Sequence, residues 1–193
     1  MPRAIGVKAK VERAALELFA ANGLDGVSIA DIASAAGVSQ GALYRHHASK
    51  EELAWSLFST AYLRTGEELD ALRARHPGLE AGITAMVAHF CALYDDDPAL
   101  FRFMLLTQHG LLPRIASGSR TPVDAIADLV RDALAENQLN AVDPSLGAAV
   151  IMGVVLQSVT FHIYGRLAGG LSARARALSH AAIAAVRALS RAG

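Results

Sequence analysis

The sequence predicts an all-α protein, and three observations carry the prediction. Apolar residues recur at helical spacing along most of the 193 residues, and no strand-like alternation is long enough to build a sheet. Alanine, the strongest helix former, supplies much of a composition that is 53% hydrophobic. Glycine and proline gather at a few evident boundaries instead of scattering through the periodic stretches. A chain of this length buries a substantial core, as one large or two small domains.

The elements follow in order. Val11, Ala14, Ala15, Leu18 and Phe19 line one helical face, and Asn22-Gly23 ends that first helix. Ser28 opens a second helix as its cap, with Asp31 at the third position and Ile29, Ile32, Ala33 and Ala36 facing inward. Gly37-Val38-Ser39 makes a tight break, and a third helix is expected over 40–47. Ser49-Lys50-Glu51-Glu52 reads as a capping box that starts a fourth helix, about 49–74, linking two halves of the protein. Beyond Pro77-Gly78, Ile83, Met86, Val87, Phe90, Leu93 and Tyr94 form an apolar stripe that stops at Asp95-Asp96-Asp97. Asp97-Pro98, Thr121-Pro122 and Asp143-Pro144 share one device, an N-cap followed by proline at the first helical position. The last two helices are expected at about 144–168 and 172–191, around Gly169-Gly170, with small interior residues such as Gly147, Ala148, Gly153 and Ala182.

Charge and cysteine content narrow the function classes. Eighteen basic and eighteen acidic residues cancel, so bulk charge argues for no polyanionic partner. Their distribution is uneven: the first thirteen residues hold Arg3, Lys8, Lys10 and Arg13 against Glu12 alone, while aspartates fall in the middle of the chain. A bound nucleic acid therefore belongs at the N-terminal end. Cys91, the single cysteine, excludes an intramolecular disulfide or a cysteine zinc cluster, and favours the cytoplasm. No signal-peptide core precedes residue 13, and the most apolar stretch, 146–156, is too short to span a bilayer, so no membrane partner is expected. The aspartate run lacks the spacing of a calcium loop and is explained as a helix stop, so neither metal nor cofactor is expected.

Two short helices joined by a glycine-containing turn, the second rich in small and polar residues, have the makings of a DNA-reading helix-turn-helix. Ala33 and Gly37 permit a close crossing, Ile32, Val38 and Leu43 hold its angle, and Ser39-Gln40-Gly41 presents the third helix N-terminus first. With Leu43 turned inward, Gln40, Tyr44 and Arg45 are available to a groove. Arg45 can fork onto guanine and Gln40 can pair with adenine. Tyr44, Lys50, Ser28 and Ser39 suit phosphates, which set register without reading sequence.

These residues carry a family resemblance. Ala14-Ala15, Leu18-Phe19, Gly23, Ser28, Ile32-Ala33, Ala36-Gly37-Val38-Ser39, Gly41, Leu43-Tyr44, His46, Lys50 and Leu53 resemble, in order and spacing, the N-terminal signature of TetR-type regulators over the first quarter of the chain. The resemblance implies that Tyr44 and Lys50 grip phosphates and that residues 39–46, His46 included, face the major groove. It implies a helix-turn-helix DNA-binding domain at 1–53 and a helical bundle at 54–193 for effector binding and dimerisation. It also implies a homodimer through the last two helices, addressing a near-palindromic double-stranded operator in the bacterial cytoplasm. One position departs from the pattern: where the family has an aromatic residue and often proline after the histidine, this chain has His47-Ala48.

The same resemblance implies a repressor released by a small molecule bound inside the C-terminal bundle. Met86, His89, Phe90, Tyr94, Phe101, Met104, Gln108, Ile126, Met152 and Phe161 are the candidate lining, which suits a largely apolar effector. The same side chains also serve as ordinary core. No nucleophile motif, paired metal-ligand spacing or phosphate loop supports an enzyme. The competing class is a non-enzymatic helical interaction module whose DNA reader is vestigial, and Tyr44, Arg45 and Lys50 speak against it.

Overall fold

A computed structural model of the chain describes residues 6–192, so Arg3 lies outside the described residues. Among them every regular element is helical, as the sequence predicts: α1 (Val7–Asn22), α2 (Ile29–Ala36), α3 (Gln40–Tyr44), α4 (Lys50–Arg75), α5 (Leu79–Asp96), α6 (Pro98–Leu111), α7 (Pro122–Ala135), α8 (Pro144–Ile163) and α9 (Ala175–Ala192), with short 3-10 turns at Leu112–Arg114 and Ser172–Arg174. They fall into two compact units. One holds the chain up to Ala61 together with Ala99–Ser117; the other holds Tyr62–Pro98 and the chain from Gly118 onward.

In the first unit α1, α2 and α3 pack on one another around Val11, Ala15, Phe19, Ile32 and Leu43, all fully buried. Leu53 and Phe58 of α4 are equally buried. So is Phe103 of α6, whose ring stacks on that of Phe19 at 5.9 Å. The helix-turn-helix thus shares its core with a helix that arrives from far along the chain.

In the second unit α5, α7, α8 and α9 pack as a bundle over Ile83, Met86, Val87, Ile126, Val130, Val159, Ala182 and Val186. Cys91 is buried there, and burial, with Asp95 adding, pushes its thiol up to about 11, which leaves it unreactive at neutral pH. The aspartate run does more than stop α5. Asp95 accepts the backbone N–H groups of Leu171 at 2.9 Å and Ser172 at 2.8 Å, tying the approach to α9 to the end of α5.

Helix starts follow local chemistry closely. The Ser28 and Thr121 hydroxyls accept from Asp31 N and Asp124 N in full capping boxes, and Asp143 accepts from Ser145 N at 2.7 Å. Helix ends depart from the sequence reading. α3 stops at Tyr44, because His46 N and His47 N both turn back onto the Leu43 carbonyl. α8 stops at Ile163, not at 168: Gly165 takes φ 67°, and Arg166 N reaches the Phe161 carbonyl at 2.8 Å, closing the helix one turn early. The stretch 172–174 is a 3-10 turn, and α9 begins only at Ala175.

α8 is also longer as an apolar element than the run 146–156 suggests. Within its 20 residues an 18-residue window reaches a mean hydropathy of 1.8, enough by length and composition to cross a membrane, with 28% of that window buried. The Ser158 and Thr160 hydroxyls bond back to the Val154 and Leu156 carbonyls at 2.7 and 2.9 Å, which hides their polarity.

Candidate nucleic-acid interface and ligand-contact residues

The candidate interface is built on a buried base. Ala42 and Leu43 anchor α3 in the core of the first unit, so Gln40, Gly41, Tyr44, Arg45 and His46 are turned outward and exposed, Tyr44 by 52%. Gly37 makes the preceding turn at φ 66°, a left-handed conformation that glycine adopts without strain, and Ser39 caps α3 through Ala42 N at 3.2 Å. Ser39 still has its hydroxyl proton to donate. The Ser28 hydroxyl, by contrast, accepts from Asp31 N and donates to the Asp31 carboxylate at 2.6 Å; that donation, with a second from Ser28 N at 2.8 Å, holds the Asp31 carboxyl below the usual carboxylate range.

Tyr44 stands at the edge of a cleft of about 560 Å³ that runs between the starts of α2 and α4. Ser28, Ile29, Ser49 and Lys50 line it, with Asp25, Asp31 and Glu51 also present. Lys50 Nζ donates to the Leu24 carbonyl at 2.7 Å, which holds the ammonium at the cleft and leaves it two further donors. Two helix N-termini, a lysine and a phenol therefore converge on one opening, an arrangement that complements an oxyanion in spite of the carboxylates.

His47 is buried at the turn between α3 and α4, at the position where the family resemblance implies an aromatic residue. Its Nε2 has no hydrogen-bond partner and lies 3.9 Å from a Glu12 carboxylate oxygen. Burial holds the imidazole below its ordinary pKa, with Glu12 opposing the shift and Lys8 and His46 adding to it.

The ten candidate effector residues divide between the units. Phe101 and Met104, buried, and Gln108, half-buried, sit on α6 in the first unit. In the second, Met86, Phe90, Tyr94 and Ile126 are buried, and Met152 is half-buried. His89 Nε2 lies 3.2 Å from a Glu68 carboxylate oxygen, without the geometry of a hydrogen bond. Phe161 stands 46% exposed on the outward side of α8. The Tyr94 hydroxyl meets His162 Nδ1 at 2.9 Å, and His162 Nε2 meets the Gly169 carbonyl at 2.8 Å. Since a carbonyl only accepts, Nε2 carries the proton and Tyr94 donates to Nδ1. Sequence reasoning did not single out Trp55 and Arg114, which pack together on the first unit; one tryptophan at helical spacing carries no signal of a partner 59 positions away.

The profile of the tetR family of bacterial regulatory proteins matches residues 13–56, the stretch from α1 into α4. A protein of Mycobacterium tuberculosis named as a mycofactocin biosynthesis transcriptional regulator, MftR, is 44% identical over 61 residues, 32% of this chain and 31% of that one. The match thus spans about a third of that relative's length. Among solved structures, the fatty acid degradation regulator FadR from Bacillus halodurans superposes with a TM-score of 0.80 at 19% identity, over 94% of this chain and 96% of its own. FadR from Bacillus subtilis, solved in complex with stearoyl-CoA, gives a TM-score of 0.70 at 17% identity, over 90% of this chain and 96% of its own. At such identities the likeness to the two structures is one of fold. The matched profile and the order of elements agree on one point: residues 13–56, from α1 into α4, carry the N-terminal signature of the tetR family of bacterial regulatory proteins.

Proposed function

We propose that the protein is a homodimeric, sequence-specific DNA-binding transcriptional regulator of the bacterial cytoplasm, a repressor released from a near-palindromic operator by a small, largely apolar effector. The observation that carries this reading is the outward pair Gln40 and Tyr44, with Arg45 at the C-terminal cap, on a short helix whose other side is locked into the core by Ala42 and Leu43. Gln40 and Arg45 read base edges; Tyr44, Lys50 and Ser39 hold phosphates. Ser28 contributes through the N–H groups of the helix it caps, since its hydroxyl is already committed to Asp31. Gly41 keeps the helix surface free of bulk, and His46 flanks it.

Dimerisation is supported by α8 and α9. Leu146, Phe161 and Tyr164 are exposed by 50, 46 and 69%, and α9 presents Ala177, Ala181, Ala184 and Ala188 outward, small enough for close helix approach. A two-fold dimer places its reading helices on half-sites about 34 to 36 Å apart. The buried Met86, Phe90 and Tyr94 of α5 favour an effector with an apolar tail, and stearoyl-CoA, bound by Bacillus subtilis FadR, is the natural first probe.

The test is fluorescence anisotropy on duplexes that the protein itself selects from a randomised pool, read at two salt concentrations against scrambled competitor. Tight, competitor-resistant binding that Tyr44→Ala or Arg45→Ala weakens at least about tenfold, the worth of a bidentate base contact, is expected. Weak binding that salt abolishes, with no duplex enriched, would instead identify a helical interaction module whose reader is vestigial.

A further inference from the structure

We infer that Arg114 is a positioning residue of the DNA-reading unit: from the end of α6 it fixes the first two turns of α4, and with them Lys50. Its guanidinium lies over the Trp55 ring, 4.5 Å from the ring centroid, and donates from Nη2 to Glu52 Oε1 at 2.9 Å. Trp55 is itself seated against the fully buried Phe58, ring centroids 6.5 Å apart. One planar cation therefore satisfies a carboxylate at its edge and a π face beneath it, which an ammonium cannot do at once.

The position of the clamp gives it a role. Lys50, Glu52 and Trp55 share the start of α4, and that start forms one side of the cleft at Tyr44. The ion pairs of α1, Lys8 with Glu12 and Arg13 with Glu17, join neighbours on one helix. Arg114 joins residues 62 positions apart and holds α4 to the 3-10 turn that follows α6. α6 is in turn anchored by Phe103 on Phe19. The Lys50 ammonium is aimed by the Leu24 carbonyl, and the helix that bears it is set by Arg114.

This rests on the reading of Lys50 as a phosphate contact, and the test separates the two. Trp55 is the only tryptophan in the chain, so its emission reports the clamp directly. Arg114→Ala is expected to move that emission to longer wavelength and to raise its quenching by acrylamide, with or without DNA. On the selected duplex, Arg114→Ala weakens binding about three- to tenfold, as losing one cation–π contact and one partly exposed ion pair allows, and flattens the salt dependence by up to about one phosphate. Arg114→Lys restores less than half of the loss. Because both residues act through one contact, Lys50→Ala combined with Arg114→Ala binds within about twofold of Lys50→Ala alone. Arg187→Ala, which removes the exposed pair with Glu80 in the other unit, leaves emission and affinity alone. Unchanged Trp55 emission in Arg114→Ala, unchanged affinity, or fully additive losses with Lys50→Ala would each overturn the assignment. Failure of the wild-type chain to enrich any duplex would sink the DNA-binding reading, while the emission would still decide whether Arg114 fixes α4.

Discussion

His47 places a titratable ring where the fold requires a packed one. It is 7% exposed, its Nε2 has no hydrogen-bond partner, and burial depresses its pKa more than Glu12 restores it. The folded chain therefore binds a proton at this site less readily than the unfolded chain. Stability is greatest above the unfolded imidazole value, about 6.5, and declines as pH falls below it, until the folded ring also protonates. Urea midpoints measured from pH 7.5 to 5 should fall on the acid side, and His47→Phe should flatten that slope. An equal slope in the variant would assign the dependence to other groups. Ser28 offers a second test at this scale. Removing its hydroxyl in Ser28→Ala leaves Asp31 N without its capping acceptor and should cost about 1 kcal/mol, seen as a lower urea midpoint at unchanged m.

At the scale of elements, the legible features were those written in adjacent residues. Ser28, Ser39, Thr121 and Asp143 cap within three positions of themselves, and each start lies where the sequence places it. Ends were harder to read, since the end of α8 turns on which of three glycines, at 165, 169 or 170, first takes the left-handed conformation beside Tyr164. The outward side of α3 was legible because Leu43 fixes which side is buried. The partnership of Phe103 with Phe19 was not, because periodicity shows that a face is covered and never by what. Gly66 shows the same limit. Inside α4 a glycine should cost about 1 kcal/mol relative to alanine, yet a Cβ there would lie 2.5 Å from the Arg120 carbonyl oxygen and 2.8 Å from Thr121 C. Both obstacles are backbone and cannot rotate away. Gly66→Ala should therefore destabilise by roughly 1 to 3 kcal/mol instead of stabilising, which a thermal melt decides by the sign of the shift.

For the whole molecule the decisive quantity is the apolar surface left on α8. The helix packs on α7 and α9, yet only 28% of its apolar stretch is buried, and Leu146 and Phe161 stand half exposed at its two ends. Fifteen positions separate them, roughly 22 Å of helix at 1.5 Å per residue, and Ala149 and Gly153 stand exposed on the line between them, with Gln157 as its polar member. In the dimer proposed above, a second copy covers this face by a two-fold, self-complementary contact between the α8 and α9 faces, without burying charge on α8. Replacing Leu146 and Phe161 together by aspartate should give a monomer in sedimentation at micromolar concentration with the helical circular dichroism retained. Both substitutions lie far in sequence from the reading residues. Even so, operator affinity should fall by about 10² or more, because each half-site is then held without the effective concentration its tethered twin supplies. A wild-type chain that sediments as a monomer and still binds the full operator would refute the dimer. Recovery of the wild-type chain with lipid vesicles, lost in the double variant, would mean that α8 meets a bilayer instead.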